Sequence, residues 1–416
     1  MSWREISLGS AIHVKHGFAF KGEFFADDGE YIVLTPGNFN EEGGFRIRPE
    51  KDRAYAGDIP EAYILGEDDL IVAMTEQGAG LLGSAALVPQ TNRYLHNQRL
   101  GLVDQVDGAV LDKRFLYLLF NTRSVRAQIS GSASGTKVRH TAPERIYRVS
   151  VHIPDVATQS RIAETILAYD DLIENNRRRM ALVEKSARLL YHEWFVHLRY
   201  LGHERMRVID GIPQGWEWRM LDSVCSSGDG VQTGPFGSQL HQADYSEEGI
   251  PVVMPKDIVD FRISAESIAR IPESLANRLG RHRMVPGDTV YGRRGDIGRR
   301  AYIGKRQAGW FCGTGCLRIR PNSLAINPRY LFDALGSPET AGTIANRAKG
   351  STMLNLSATA LKSVSVLVAS RHLQDIYAEE VEAMREMVEI LEEQNAKLRA
   401  ARDLLLPRLM SGEIVV

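Results

Sequence analysis

Residues 162–194 read IAETILAYDDLIENNRRRMALVEKSARLLYHEW, and residues 377–409 read YAEEVEAMREMVEILEEQNAKLRAARDLLLPRL. In the first stretch Ile162, Ile166, Tyr169, Ile173, Asn176, Met180, Val183, Ala187, Leu190 and Trp194 follow one another in alternating steps of four and three. In the second, the same steps join Tyr377, Val381, Met384, Val388, Leu391, Asn395, Leu398, Arg402, Leu405 and Leu409. An average period of about 3.5 residues, held this long, marks a coiled-coil seam rather than a generic amphipathic face. Outward positions are charged, Arg177-Arg178-Arg179 on one stretch and Glu392-Glu393 on the other.

Each seam carries one asparagine: Asn176 is its fifth position and Asn395 is the sixth of the other. In a fully overlapped antiparallel pair a fifth position meets a sixth, so the two amides face each other. A parallel pair would set each amide against an apolar residue. A buried asparagine lowers stability but fixes register, because any slip leaves an amide unpaired. The pattern predicts an antiparallel intramolecular coiled coil, each helix about 57 Å long at roughly 1.5 Å per residue.

The two seams lie 215 residues apart, and so do other matches. Trp3-Arg4 pairs with Trp218-Arg219, Gly80 and Gly83 with Gly295 and Gly298, and Gly135-Thr136 with Gly350-Ser351. Val149-Ser150-Val151 pairs with Val364-Ser365-Val366, Gln159 with Gln374, and Leu189-Leu190 with Leu404-Leu405. One half runs from about 1 to 215 and the other from 216 on. Each opens with short β-rich runs such as Tyr31 to Leu34, Leu70 to Ala73, Ile250 to Val253 and Val364 to Val368, punctuated by Gly and Pro. Helical stretches at Arg114 to Asn121 and Arg329 to Leu335 interrupt them. The expected fold is α+β: two similar α/β domains separated by two long antiparallel coiled-coil helices, with an internal pseudo-two-fold repeat. The expected segments are 1–157 and 218–370 for the domains, 158–200 and 371–411 for the helices, 201–217 for a connector and 412–416 for a tail. Pro407 is expected to kink or end the final helix.

Composition is that of a globular protein, 44% hydrophobic and 25% charged over 416 residues. No apolar run approaches the ~18 residues of a membrane span, and the N-terminus lacks the apolar centre of a signal peptide, so a cytoplasmic location is expected. The net charge of −1 argues against a uniformly basic nucleic-acid binder. Residues 218–370, however, hold 19 Lys+Arg against 13 Asp+Glu, while 372–416 hold 5 against 10. That split suits one face for phosphate and another for a protein partner. Cys225, Cys312 and Cys316 complete neither a disulfide framework nor a zinc site, and no metal site is expected.

With the repeat and the paired heptads in view, several stretches resemble Type I restriction–modification specificity subunits across the whole chain. They are Arg402-Asp403-Leu404-Leu405-Leu406-Pro407-Arg408-Leu409-Met410-Ser411-Gly412-Glu413-Ile414, Pro213-Gln214-Gly215-Trp216 and Leu189-Leu190-Tyr191-His192-Glu193-Trp194-Phe195. Thr233-Gly234-Pro235-Phe236-Gly237-Ser238-Gln239-Leu240 and Gly295-x-x-Gly298 are similar too. The first domain lacks the Pro-x-Gly-Trp approach and keeps only Trp3. The resemblance implies two target-recognition domains that each read half of an asymmetric bipartite site in double-stranded DNA. It implies helices that space them and dock two methyltransferase subunits, with motor-nuclease subunits completing the complex. S-adenosylmethionine, ATP and Mg are expected on those partners and no cofactor on this chain.

Candidate reading residues follow from side-chain chemistry. Arg293, Arg294, Arg299 and Arg300 surround the tight Gly295-to-Gly298 turn, and arginine takes phosphate or reads guanine bidentately. Arg347, Lys349, Ser351 and Thr352 form a second polar loop, matched in the first half by Ser134, Thr136, Lys137, Arg139 and His140. Lys256, Gln98 and Arg99 complete the set. Gly78-Ala79-Gly80-Leu81-Leu82-Gly83 fits a dinucleotide pattern, but Ser84 to Pro89 reads as a returning strand, not the helix such a loop opens. No Pro-Pro methyltransferase motif occurs, and no acidic residue stands two positions before a lysine as the common nuclease pattern requires. No catalytic residue is expected. The alternative is a structural adaptor whose β-rich domains bind protein.

Overall fold

The strand Leu70–Ala73 is buried at every residue. Successive strand side chains point to opposite faces, and here Leu70 and Val72 enter one apolar cluster while Ile71 and Ala73 enter another. Such a strand must be central. It lies between Leu100–Val106 and Ala85–Leu87, and Ile12–His16 pairs on the far side of Leu100–Val106, all antiparallel. A second sheet orders Phe25–Ala26, Ala54–Tyr55, Ile32–Val33 and Tyr94–Leu95, the last two parallel. Arg4–Ser7 pairs with Ser150–Ile153.

The computed structural model describes residues 3–48, 50–77, 80–236, 239–265, 267–350 and 354–416. They form two compact units, Met1–Asn176 with Glu393–Val416, and Arg177–Glu392. The sheet of the first unit recurs in the second as Val231–Thr233, Cys316–Ile319, Thr289–Gly292 and Arg300–Tyr302. Ile250–Val253 again runs parallel to Phe311–Cys312, and Glu217–Met220 pairs with Ser365–Val368. Helices recur with starts 215 residues apart: Lys113–Phe120 and Pro328–Ala334, Arg123–Gly131 and Pro338–Arg347, Pro143–Tyr147 and Ala358–Lys362. The last two pairs were not expected, being short and weakly patterned. Their usable signals were the caps, Thr122, Ser337 and Ser357, each accepting a backbone N–H of the first turn.

The repeated glutamines have a structural role. Gln159 Oε1 accepts the N–H of Asp112 (2.9 Å), and its Nε2 donates to the carbonyls of Val110 and Pro154 (both 2.9 Å). Gln374 does the same to Asn327 N–H (2.8 Å) and Ala369 O (2.7 Å). Both side chains are buried. Each satisfies backbone groups that the chain would otherwise bury unpaired, and so ties a long helix to the globular part beside it.

The first long helix is Val156–Tyr191, closed by a π-turn at His192–Val196; the second is Arg371–Met410. The first thus starts two residues before the expected boundary and stops short of residue 200. Pro407 lies inside the second and does not end it. It removes only one intrahelical donor, three residues from the end, and Ser411 N–H still reaches Pro407 O (3.0 Å). Pairing is antiparallel in both units. In the first, Asn176 Nδ2 donates to Asn395 Oδ1 (3.0 Å), Asn395 Nδ2 to Ile173 O (3.3 Å), and Arg402 to Asp170 (2.5 Å). In the second, Met180 packs with Val388 and Leu391, and Tyr191 meets Tyr377 edge to face. The compact units are therefore not the two halves of the sequence. Leu409 enters the core of the first, and Ala187, Tyr191 and Phe195 enter that of the second. Each unit takes in the far end of the other half's helix.

Candidate nucleic-acid interface

In the first unit three chain segments meet at one sheet end. Met74 N–H donates to Arg99 O (3.0 Å), and Thr141 N–H donates to Met74 O (3.0 Å). Thr75-Glu76 then pairs with Arg139-His140, and Ser134 bridges to His140. The second unit builds the same lattice: Arg293 N–H to Gly315 O (2.9 Å), Leu356 N–H to Arg293 O (2.8 Å), and bridges from Asn355 to Arg294 and Lys349. Lys349 and Asn355 stand 215 residues after Ser134 and His140. The edge is thus a repeated backbone structure that carries different side chains in each half.

The first edge is held rigid by charge. Glu76 is 3% exposed, and its Oε2 accepts three backbone N–H groups, from Gly80 (3.1 Å), Leu81 (3.0 Å) and Leu82 (2.9 Å). Arg139 donates to Glu76 Oε1 (3.1 Å) and to Ser130 Oγ (2.9 Å). Arg126 donates to the carbonyls of Leu82 (2.9 Å), Glu41 (3.1 Å) and Gly80. Neither Glu76 nor Arg126 stood out in the sequence, where an isolated charge carries no sign of its burial. Gly135 turns the neighbouring loop at φ +95°, where a Cβ would run into the Val138 carbonyl.

Among the expected residues of this edge, Gln98, Arg99, Thr136 and Lys137 are exposed, and no side-chain partner for them is present among the described residues. His140 is exposed, with Nδ1 3.2 Å from Thr75 Oγ1, and Ser134 Oγ accepts from Arg145 (3.0 Å). Arg139 is a clamp on the loop rather than a free cation. The turn that carries Gln98 and Arg99 is backed by His96, fully buried, whose Nε2 lies 3.0 Å from Leu100 O. Burial, with nearby Lys15 and His16, pushes the His96 pKa down from 6.5 to about 4. The unfolded chain then takes up this proton first, so stability present above pH 6.5 is lost as pH falls toward 4. The expected loss at pH 5 is about 2 kcal/mol. Denaturant titrations at pH 8 and pH 5 check it: in His96→Gln the difference between the two should shrink by about that amount, and an unchanged difference would contradict the assignment.

In the second edge Arg294 and Lys349 are exposed, and no side-chain partner for them is present among the described residues; Lys256 is exposed as well, with its charge acting on Asp257. Arg293 donates to Asn355 Oδ1 through Nε (3.3 Å) and Nη2 (3.2 Å), and Arg299 is paired with Asp296 (2.8 Å). Two expectations need correction. Arg300 is only 7% exposed: its Nε donates to Phe332 O (3.0 Å), and its guanidinium lies over the Phe332 and Phe261 rings. Burial pulls its pKa down, a core environment that leaves no donor for DNA. Its counterpart is Ala85, whose N–H is accepted by Asn121 (3.0 Å); in the second unit Gly336 stands for Asn121 and leaves room for the guanidinium. Arg347 is likewise committed, donating to Ser363 Oγ. Ser351 and Thr352, like Gly78 of the glycine pattern, lie outside the described residues. The strand Ala85–Leu87 does return antiparallel to Leu70–Ala73, as the dinucleotide reading would not allow.

The three cysteines are buried and unpaired, and burial pushes the Cys225 and Cys312 thiols up to about 12. Among the described residues no three His, Cys, Asp or Glu side chains are grouped to hold a metal ion. Among them, too, no helix is long and apolar enough to cross a membrane.

Residues 2–185 match the family model described as Type I restriction modification DNA specificity domain. The chain is 22% identical to the Type I restriction enzyme EcoBI specificity subunit of Escherichia coli, covering 99% of this chain and 86% of that one. It is also 22% identical to the MjaIX specificity subunit of Methanocaldococcus jannaschii, over 78% of this chain and 74% of the relative. The fold matches the crystal structure of a Type I restriction–modification S subunit from M. genitalium with a TM-score of 0.60 at 16% identity, covering 98% and 96% of the two chains. Residues 2–185 thus match a Type I restriction–modification DNA specificity domain, and over nearly its whole length the chain is similar to Type I specificity subunits.

Proposed function

We propose that each compact unit reads one half of an asymmetric, bipartite site in double-stranded DNA, and that the chain performs no chemistry itself. One observation carries this reading. The same three-segment hydrogen-bond lattice is built twice, and it presents Gln98, Arg99, Lys137 and His140 in one unit and Arg294, Lys349 and Asn355 in the other. A shared scaffold with different outward donors suits two half-sites of the same backbone and different bases. On this reading the helices also dock two methyltransferase subunits, which bring S-adenosylmethionine, and motor-nuclease subunits that use ATP and Mg complete the complex. Leu182 and Leu189 on the first long helix, and Ile390 and Leu404 on the second, are exposed apolar side chains available for such docking.

The test is duplex binding by the complex at several salt concentrations. A DNA reader loses affinity with a slope of about −0.9 in log K per phosphate contact. Binding to duplex that is absent, or insensitive to salt, would leave no place for this reading.

A further inference from the structure

The two edges differ most at the centre of the lattice. Thr75 and Arg294 hold the same position, bridged to His140 and to Asn355 respectively. Thr75 is buried with its hydroxyl on the His140 ring. Arg294 is exposed, and its guanidinium has no partner among the described residues. Its backbone is fixed on both sides, by Arg293 N–H to Gly315 O (2.9 Å) and Gly295 N–H to Leu354 O (3.1 Å). Gly295 sits at φ +73° with open space where a Cβ would be, so the turn leaves room beside Arg294 for a base edge.

Phosphate offers the same chemistry at every half-site, whereas bases do not. A position with one backbone geometry, whose side chain changes from a capped hydroxyl to a free fork, is suited to report that difference. The exposed point charge of Lys349, bridged to the same Asn355, suits phosphate. Arg293 is already spent on Asn355. Guanine presents two adjacent acceptors, O6 and N7, to the major groove, matching the guanidinium fork, whereas adenine places an amino donor beside N7 and would set donor against donor. We propose that Arg294 reads a guanine in the half-site recognised by the second unit, with Arg293 and Asn355 as positioning residues. This rests on the DNA-reading function proposed above.

The experiment compares wild type, Arg294→Gln and Arg294→Ala, each assembled with the methyltransferase partner. Methylated motifs are mapped across a genome, and the purified complexes compete for duplexes substituted at each base pair of the site. Glutamine reads adenine through N6 and N7, so Arg294→Gln should move one guanine position of one half-site toward adenine. Arg294→Ala should cut discrimination at that base pair by roughly 10- to 100-fold and leave the other positions alone. Variants that keep the full base preference while every duplex weakens alike, with the salt slope reduced by about one, would make Arg294 a phosphate contact and overturn the assignment. If a variant loses methylation in cells, the competition still decides between these results. A wild-type complex that yields no bipartite motif contradicts the DNA-reading function itself, a different failure from an unaltered motif in the variants.

Discussion

Glu76→Ala should cost about 3–5 kcal/mol and loosen recognition in one half-site only. The carboxylate is buried and holds three backbone N–H groups of the loop that follows it, with Arg139 on its other oxygen. Removing it leaves a guanidinium half-buried without its partner and three donors unsatisfied, and breaking such a pair from one side costs about that much. Glu76→Gln keeps one oxygen for the N–H groups but can turn an amide donor toward Arg139, so a loss of about 1–3 kcal/mol is expected. The loop belongs to the first unit, and the second edge contains neither residue. Urea denaturation measures the stability loss. The methylation motif should become degenerate in one half, and an intact motif in Glu76→Ala would show that the clamp does not support reading.

The Asn176–Asn395 pair should behave non-additively. Both amides are buried, 7% and 3% exposed, and bond each other at 3.0 Å. Asn176→Leu alone leaves Asn395 Oδ1 without its donor in an apolar seam, and Asn395→Leu leaves Asn176 Nδ2 without its acceptor. Each single change should cost about 1–3 kcal/mol. The double variant replaces both groups by apolar ones and should return to within about 1 kcal/mol of wild type, because no amide remains to be satisfied. What it loses is the penalty on register slip. Denaturation midpoints of the four proteins give the coupling directly; losses that simply add would contradict a mutual hydrogen bond.

The long helices were legible because their period is local and sustained. The same holds for the 215-residue repeat, which surfaced as paired glycines and glutamines before their roles were visible. Gln159 and Gln374 illustrate the limit: their equivalence is in the sequence, but that they bind the backbone of Asp112 and Asn327 is a tertiary fact. The arginine-rich turn shows it more sharply. Arg294 and Arg300 look alike in Arg293-Arg294-Gly295-Asp296-Ile297-Gly298-Arg299-Arg300, yet one is exposed and the other is core. The difference depends on Arg300 sitting in a strand paired with Tyr291 and on the space above Gly336, remote in sequence. The compact units also cut across the sequence halves, since an antiparallel pair carries the end of each helix to the other unit's core.

The central claim is that two units of one chain together specify one bipartite target. Its most direct measurement is DNA methylation mapped across a genome in cells that express this chain with the proposed methyltransferase partner, against cells with that methyltransferase alone. The account predicts a new asymmetric motif of two short specified segments around an unspecified spacer, present only with this chain. A complex that assembles but methylates no new motif would contradict it.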